Sequence, residues 1–182
     1  MLIGGARIIQ LRDKDLSGKE LFDEARRSVE LCREYAAKLI LNDRVDIALA
    51  AKADGVHLGQ DDLSPIDARK ILGEKAIIGL STHSVEQALN ALKEPVNYIA
   101  IGPIFATRSK SDTSPVVGPE GISSVRFAIG QFPLVAIGGI NTGNIRDVMS
   151  SGADSAALIS AVFSNERSIG TMISELMDLA NH

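Results

Sequence analysis

Seven short apolar runs in this chain each close on a cluster of polar or glycine residues and then give way to a stretch with helical periodicity. In order, the clusters are Gln10-Leu11-Arg12-Asp13-Lys14, Asn42-Asp43-Arg44, His57-Leu58-Gly59-Gln60-Asp61-Asp62, Ser81-Thr82-His83, Gly102-Pro103, Gly138-Gly139-Ile140 and Ile159-Ser160. A strand that hands over to a helix is one βα unit, and a succession of such units predicts a parallel sheet covered by helices. All its strands end on the same side, so the polar clusters gather at one mouth, where a barrel built this way does its chemistry.

The pattern predicts strands over 6–12, 39–41, 55–58, 76–80, 97–101, 133–137 and 156–159. In the first of these, Ile8, Gln10 and Arg12 share one face and Ile9 and Leu11 the other. Ser17 with Glu20 has the spacing of a capping box, which opens a helix running to about residue 37. Further helices are predicted over 45–52, 65–72, 84–93, 119–129 and 142–151, with a closing helix to about residue 180. Ser64-Pro65 supplies an N-cap followed by proline at the first helical position. Residues 102–117 form a long loop rich in Ser, Thr and Pro, a length that usually signals function in a compact domain.

No linker or low-complexity run divides the chain, so residues 1–182 read as a single domain. No strand leads into Gly-x-Gly-x-x-Gly, which favours a barrel over a doubly wound sheet. The net charge of −4 offers no general attraction to nucleic acid or anionic lipid, and no apolar stretch approaches a membrane span. Met1-Leu2-Ile3-Gly4-Gly5 lacks the basic region and cleavage site of a signal peptide, so a cytoplasmic protein is expected. The single cysteine, Cys32, lies in the helical row Leu21, Ala25, Val29, Cys32, Ala36 and reads as a buried structural thiol.

The chemistry is electrostatic in character. Arg12 and Lys14 at the end of the first strand suit a phosphate or diphosphate, one as a planar fork and the other as a compact charge. Asp43 and Asp62 end neighbouring units, and two carboxylates with room for water and phosphate oxygens are a common Mg²⁺ arrangement; Asp61 competes with Asp62 for that place. Gly138-Gly139 and Ile159-Ser160 end the last two strands, where this architecture often places backbone N–H groups around a phosphate. The loop Thr107-Arg108-Ser109-Lys110-Ser111 brings hydroxyls and two cations. His57 reads as a packing or hydrogen-bonding residue at a strand end and His83 as a helix start, and no nucleophile is paired with a base. Two phosphate sites, one metal-assisted, favour transfer of a group from its diphosphate onto a phosphorylated acceptor.

At these residues the chain resembles the thiamine-phosphate synthase and thiazole tautomerase superfamily. The likeness rests on Gln10-x-Arg12-x-Lys14, Asn42-Asp43, Gly59-Gln60-x-Asp62, Ser81-Thr82-His83, Gly102-Pro103-Ile104-Phe105, Thr107-x-Ser109-Lys110 and Gly138-Gly139-Ile140, in that order over nearly the whole chain. The resemblance implies a (β/α)8 TIM barrel, here with seven strands visible and the first βα unit lacking, Met1–Gly5 looking like the tail of that unit's helix. It implies that hydroxymethylpyrimidine diphosphate binds through Gln10, Leu11, Arg12, Asp13, Lys14, Asn42, Ser81 and Lys110, with Mg²⁺ on Asp43 and Asp62. It places the thiazole phosphate against Thr107, Arg108, Ser109, Gly139, Ile159 and Ser160, and gives Arg12, Lys14 and Lys110 the catalytic roles. The implied partners are these small molecules, without nucleic acid or membrane, and a homo-oligomer is compatible. A tautomerase-like relative, or an inactive shortened barrel that only binds phosphates, stands beside this reading.

Overall fold

Seven parallel strands pair in chain order, β1 to β7, into one sheet. The computed structural model describes residues 1–107, 115–163 and 168–181. A 3₁₀ turn (Leu2–Gly4) precedes β1 (Ile8–Leu11), α1 (Gly18–Glu34), β2 (Lys38–Asn42), α2 (Val45–Ala51), β3 (Gly55–Leu58) and α3 (Pro65–Leu72). Then come β4 (Ile77–Thr82), α4 (Val85–Ala91), β5 (Tyr98–Ile101), α5 (Gly118–Ile129), β6 (Leu134–Ile137), α6 (Ile145–Ser150), β7 (Ser155–Ala157), α7 (Ser160–Phe163) and α8 (Ile169–Ala180).

Local chemistry sets the helix ends as the spacing predicts. Ser17 Oγ accepts from the Glu20 amide, and Glu20 Oε2 accepts from the Ser17 amide, closing the capping box. Ser64 caps α3 with Pro65 at its start. Leu21, Ala25, Val29 and Cys32 form the buried face of α1. Ala36 departs from that row: α1 stops at Glu34, Ala36 turns left-handed at φ 51°, and Ala37 takes the buried place. Burial pushes the Cys32 thiol up from its ordinary pKa, in keeping with a structural group. The closing helix is likewise not one rod but α7 and α8, with residues 164–167 outside the described set.

The strands separate two kinds of face. Leu39 and Leu41 pack beneath α1 and α2, while Val56, Leu58, Ile78, Ile99, Ile101 and Leu134 pack against the later helices. These residues alternate with the opposite face, where register places Gln10 beside Ile40, Asn42 beside His57, His57 beside Gly79, and Ser81 beside Ala100. The helix-covered face carries the apolar core, and the concave face carries the polar residues of the mouth.

The eight-stranded closure that the resemblance implies is not reached. β1 and β7 are the two margins of the sheet, and no pairing joins them among the described residues. Seven strands at the tilt of this architecture sweep too short an arc to bring first and last into hydrogen-bonding register. Ile8 on β1 is accordingly 62% exposed. The helical tail expected at Met1–Gly5 is a single 3₁₀ turn, which lies against α8 with Gly4 directly over the Gly170 carbonyl.

Candidate active site

The end of β1 presents two cations, Arg12 and Lys14, for which no hydrogen bond or ion pair is found among the described residues. Arg12 is half-buried, and its Nε is sequestered from solvent with no hydrogen-bond acceptor among the described residues. Lys14 is exposed and makes no ion pair with any described residue. A buried guanidinium N–H lacking an acceptor is a standing cost of roughly 1–3 kcal/mol, which an anion can relieve. Gln10 is exposed on the concave face, whereas the Leu11 side chain packs outward with the α1 cluster. Asp13 is turned to the backbone: its Oδ1 accepts from the amides of Asp15 and Leu16, each at 2.9 Å. Those two donors hold its carboxyl below the ordinary carboxylate range.

β2 and β3 bring the next group. Asn42 is 8% exposed, and its side-chain amide hydrogen-bonds to none of the described residues. Asp43 follows at φ 61°, a left-handed conformation that Asp and Asn adopt more readily than other non-glycine residues. Its amide donates to the His57 carbonyl at 2.9 Å, tying the two strand ends together. Asp62 Oδ2 accepts from the Gly59 amide at 2.7 Å, which folds the turn after β3. Among the described residues no set of three His, Cys, Asp or Glu is placed to hold a metal, so any divalent ion here takes most of its shell from ligand and water.

Ser81, the penultimate residue of β4, is 3% exposed. Its carbonyl accepts from Gln60 Nε2 at 2.6 Å, and its Oγ lies 2.8 Å from His57 Nε2. His57 Nδ1 lies 2.9 Å from the Tyr98 hydroxyl, and the two rings stack at 5.5 Å. Sequence reasoning placed His57 correctly as a hydrogen-bonding strand-end residue but missed Tyr98. The available signal was Gly79, its register partner, where a Cβ would overlap the Tyr98 ring. His83 lies one residue ahead of the expected place at the helix start: Ser84 is the N-cap of α4, and the His83 amide donates to Gln87 Oε1.

At the last two strands the backbone comes close to its neighbours. Gly138 and Gly139 have φ 94° and 68°, and a Cβ at Gly139 would meet Phe105 at 2.7 Å. Glycine at both positions lets this turn pass close to the segment Pro103–Ala106 that follows β5. Ile159 is 47% exposed, and Ser160 opens α7 beside it. Thr107 is the last described residue before a gap in the description at 108–114; Arg108, Ser109 and Lys110 lie outside the described residues.

These features define a class: a parallel βα sheet whose polar strand ends gather at one mouth, among them two cations with no hydrogen bond or ion pair to the described residues. The sequence model described as thiamine monophosphate synthase matches residues 1–162. The thiamine-phosphate synthase of Chlorobium phaeobacteroides is 52% identical over 88% of this chain and 78% of its own length. That of Chloroflexus aurantiacus is 44% identical over 88% and 74%. Among solved structures, thiamine phosphate pyrophosphorylase from Pyrococcus furiosus superposes with a TM-score of 0.91 at 38% identity, covering 99% of this chain and 85% of that one. The chain belongs to the thiamine monophosphate synthase family, and thiamine-phosphate synthesis, a transferase activity, is its function. Among the described residues no helix is long and apolar enough to cross a membrane.

Proposed function

We propose that this chain joins hydroxymethylpyrimidine diphosphate to thiazole phosphate and releases diphosphate, with Mg²⁺ on Asp43 and Asp62. The observation that carries the proposal is Arg12, whose Nε is buried at a strand end with no acceptor from the described protein. Beside it, Lys14 and the Asn42 amide also lack described partners, and all three suit the oxygens of a diphosphate or the polar edge of a heterocycle. The donor set suits a magnesium ion: two carboxylates that follow the adjacent strands β2 and β3, with no third His, Cys, Asp or Glu grouped with them among the described residues, so that the remaining ligands would be oxygens of substrate and water. When bound, that ion supplies positive charge that lowers the cost of diphosphate departure.

The chain's own part is binding and charge placement. Arg12 and Lys14, joined by Lys110, hold the departing diphosphate, where fixed cations stabilise charge as it develops on the leaving group. Gln10, Asn42 and Ser81 orient the pyrimidine, with Leu11 and Asp13 shaping the strand end that carries Arg12. Thr107, Arg108, Ser109, Gly139, Ile159 and Ser160 receive the thiazole phosphate, so that the thiazole nitrogen faces the electrophilic carbon as the C–O bond breaks. No protein nucleophile is required. A proton-shifting tautomerase has no use for a diphosphate site, so Asp43, Asp62, Arg12 and Lys14 favour the synthase.

Incubating the purified chain with both substrates and Mg²⁺ tests the proposal. Thiamine phosphate and diphosphate, formed in equal amounts and lost on chelation of the metal, are the expected products. A folded sample that binds both substrates and yields neither product leaves a phosphate-binding barrel without turnover.

A further inference from the structure

The concave face of the sheet holds a polar chain that the family assignment does not explain. It runs from the Tyr98 hydroxyl through the His57 imidazole to Ser81 Oγ, with steps of 2.9 and 2.8 Å. His57 is 5% exposed and Ser81 3%. We propose that Tyr98 and His57 are positioning residues that fix the Ser81 hydroxyl as a hydrogen-bond donor toward the pyrimidine substrate. This deepens the synthase reading and rests on it.

The direction follows from the inventory of donors. The Tyr98 hydroxyl has one described hydrogen-bond partner, His57 Nδ1. Burial pushes the phenol far above its ordinary pKa, so it keeps its proton. The O–H is part-buried and Nδ1 is its one described partner, so the phenol donates to Nδ1. With Nδ1 accepting from the phenol, Nε2 is the ring nitrogen that donates to Ser81 Oγ. Having accepted there, Ser81 has its own O–H left to give. Gln60 restrains the serine further by donating to its carbonyl at 2.6 Å. In the opposite tautomer, Ser81 would spend its proton on His57 and offer only lone pairs to the mouth.

Two substitutions separate the relay from a packing role. Tyr98→Phe removes one oxygen and keeps the ring that fills the space over Gly79. It should lower kcat about fivefold, the scale of one buried hydrogen bond, with KM for thiazole phosphate unchanged. In a Ser81→Ala background the same change should have no further effect. His57→Gln retains an acceptor for Tyr98 and a donor for Ser81, so it should recover most of the turnover lost in His57→Ala.

Nitrogen-detected NMR of the histidine ring reads the tautomer without turnover. The Nε2–H form is expected in the wild-type chain, with a shift toward a tautomer mixture in Tyr98→Phe. A wild-type Nδ1–H ring overturns the relay, as does an equal Tyr98→Phe loss with and without the serine. If the chain makes no thiamine phosphate, the synthase reading falls, and the ring spectrum alone still decides the relay.

Discussion

Arg126 on α5 and Asp154 ahead of β7 are joined by an ion pair of 2.5 Å, and the same Asp154 Oδ2 accepts the Leu134 amide at the start of β6. The arrangement recurs two strands apart around the sheet. Asn97, ahead of β5, accepts from the Ile78 amide and from Arg69 on α3. Asp54, ahead of β3, accepts from the Leu39 amide and from Lys38. Each strand pair is thus stapled at its N-terminal edge, opposite the mouth, where residues of this architecture serve stability.

The three staples differ in strength. Arg126 also donates to the carbonyls of Gly130, Phe132 and Gly152, and its side chain is only 19% exposed. Arg126→Ala strands those acceptors and should cost about 2–3 kcal/mol in denaturant unfolding. The Lys38–Asp54 pair is more open to solvent, and Lys38→Ala should cost about 0.5 kcal/mol. Neither change should alter kcat/KM; a loss of turnover in folded Arg126→Ala would show that the staple reaches the mouth.

Arg12→Ala should reverse the usual relation between burial and stability. Its Nε has no described acceptor, so truncation removes an unsatisfied donor and should leave unfolding free energy within about 0.5 kcal/mol of the parent. Turnover should fall by about 10²-fold, the scale for removing one donor aimed at developing negative charge. Steady-state kinetics and chemical denaturation check the two halves. Unchanged kcat/KM would take Arg12 out of the diphosphate site.

The left-handed backbone of Asp43 chooses its test substitution. Asn tolerates φ near 61° as Asp does, so Asp43→Asn removes charge without imposing backbone strain. The Mg²⁺ concentration needed for half-maximal turnover should rise by about tenfold or more, with the thermal midpoint preserved. A titration identical to the parent's would return Asp43 to a role in joining β2 to β3.

The strands and helix starts were legible because short apolar runs, caps and proline punctuation act within a few residues. Ser17 with Glu20 and Ser64-Pro65 gave their helix starts correctly. Arg12, Asn42 and Ser81 were legible as site candidates because each ends an apolar run, and the structure sets each at a strand end. The Tyr98–His57–Ser81 chain was hidden, since its members are 17 to 41 positions apart and meet only once three strands are in register. The strand-start staples were hidden for the same reason: Arg126 and Asp154 lie 28 positions apart. The end of α1 was misjudged because the apolar period runs on through Ala36 while the backbone has already turned left-handed.

The register between Gly79 and Tyr98 yields a stability test of the concave face. A Cβ at Gly79 would overlap the far end of the tyrosine ring, which can clear it only by giving up its stacking and hydrogen bond with His57. Gly79→Ala should therefore cost about 1–3 kcal/mol, although alanine is intrinsically no worse than glycine in a strand. Combining it with Tyr98→Ala should recover much of that loss by opening space for the methyl group. Equilibrium unfolding of the single and double variants checks the coupling, and strict additivity would mean that the ring does not lie over Gly79.

Acid titration probes the loop that follows β1. The Asp13 carboxyl is lowered by the Leu16 and Asp15 amides, and that of Glu20 by the Ser17 hydroxyl and amide. A carboxylate whose folded pKa is depressed contributes stability that is complete above its unfolded pKa and is lost as pH falls through the folded one. Both contributions are therefore present at neutral pH and disappear below the ordinary carboxylate range. Carboxyl-carbon NMR should show Asp13 and Glu20 titrating lower than an exposed Asp or Glu without such donors. Asp13→Asn keeps the oxygen that accepts from both amides, so it should hold the loop while removing its pH dependence. If Asp13 instead titrates at the ordinary value, those amides do not donate to it in solution, and the loop that presents Lys14 is not held by this turn.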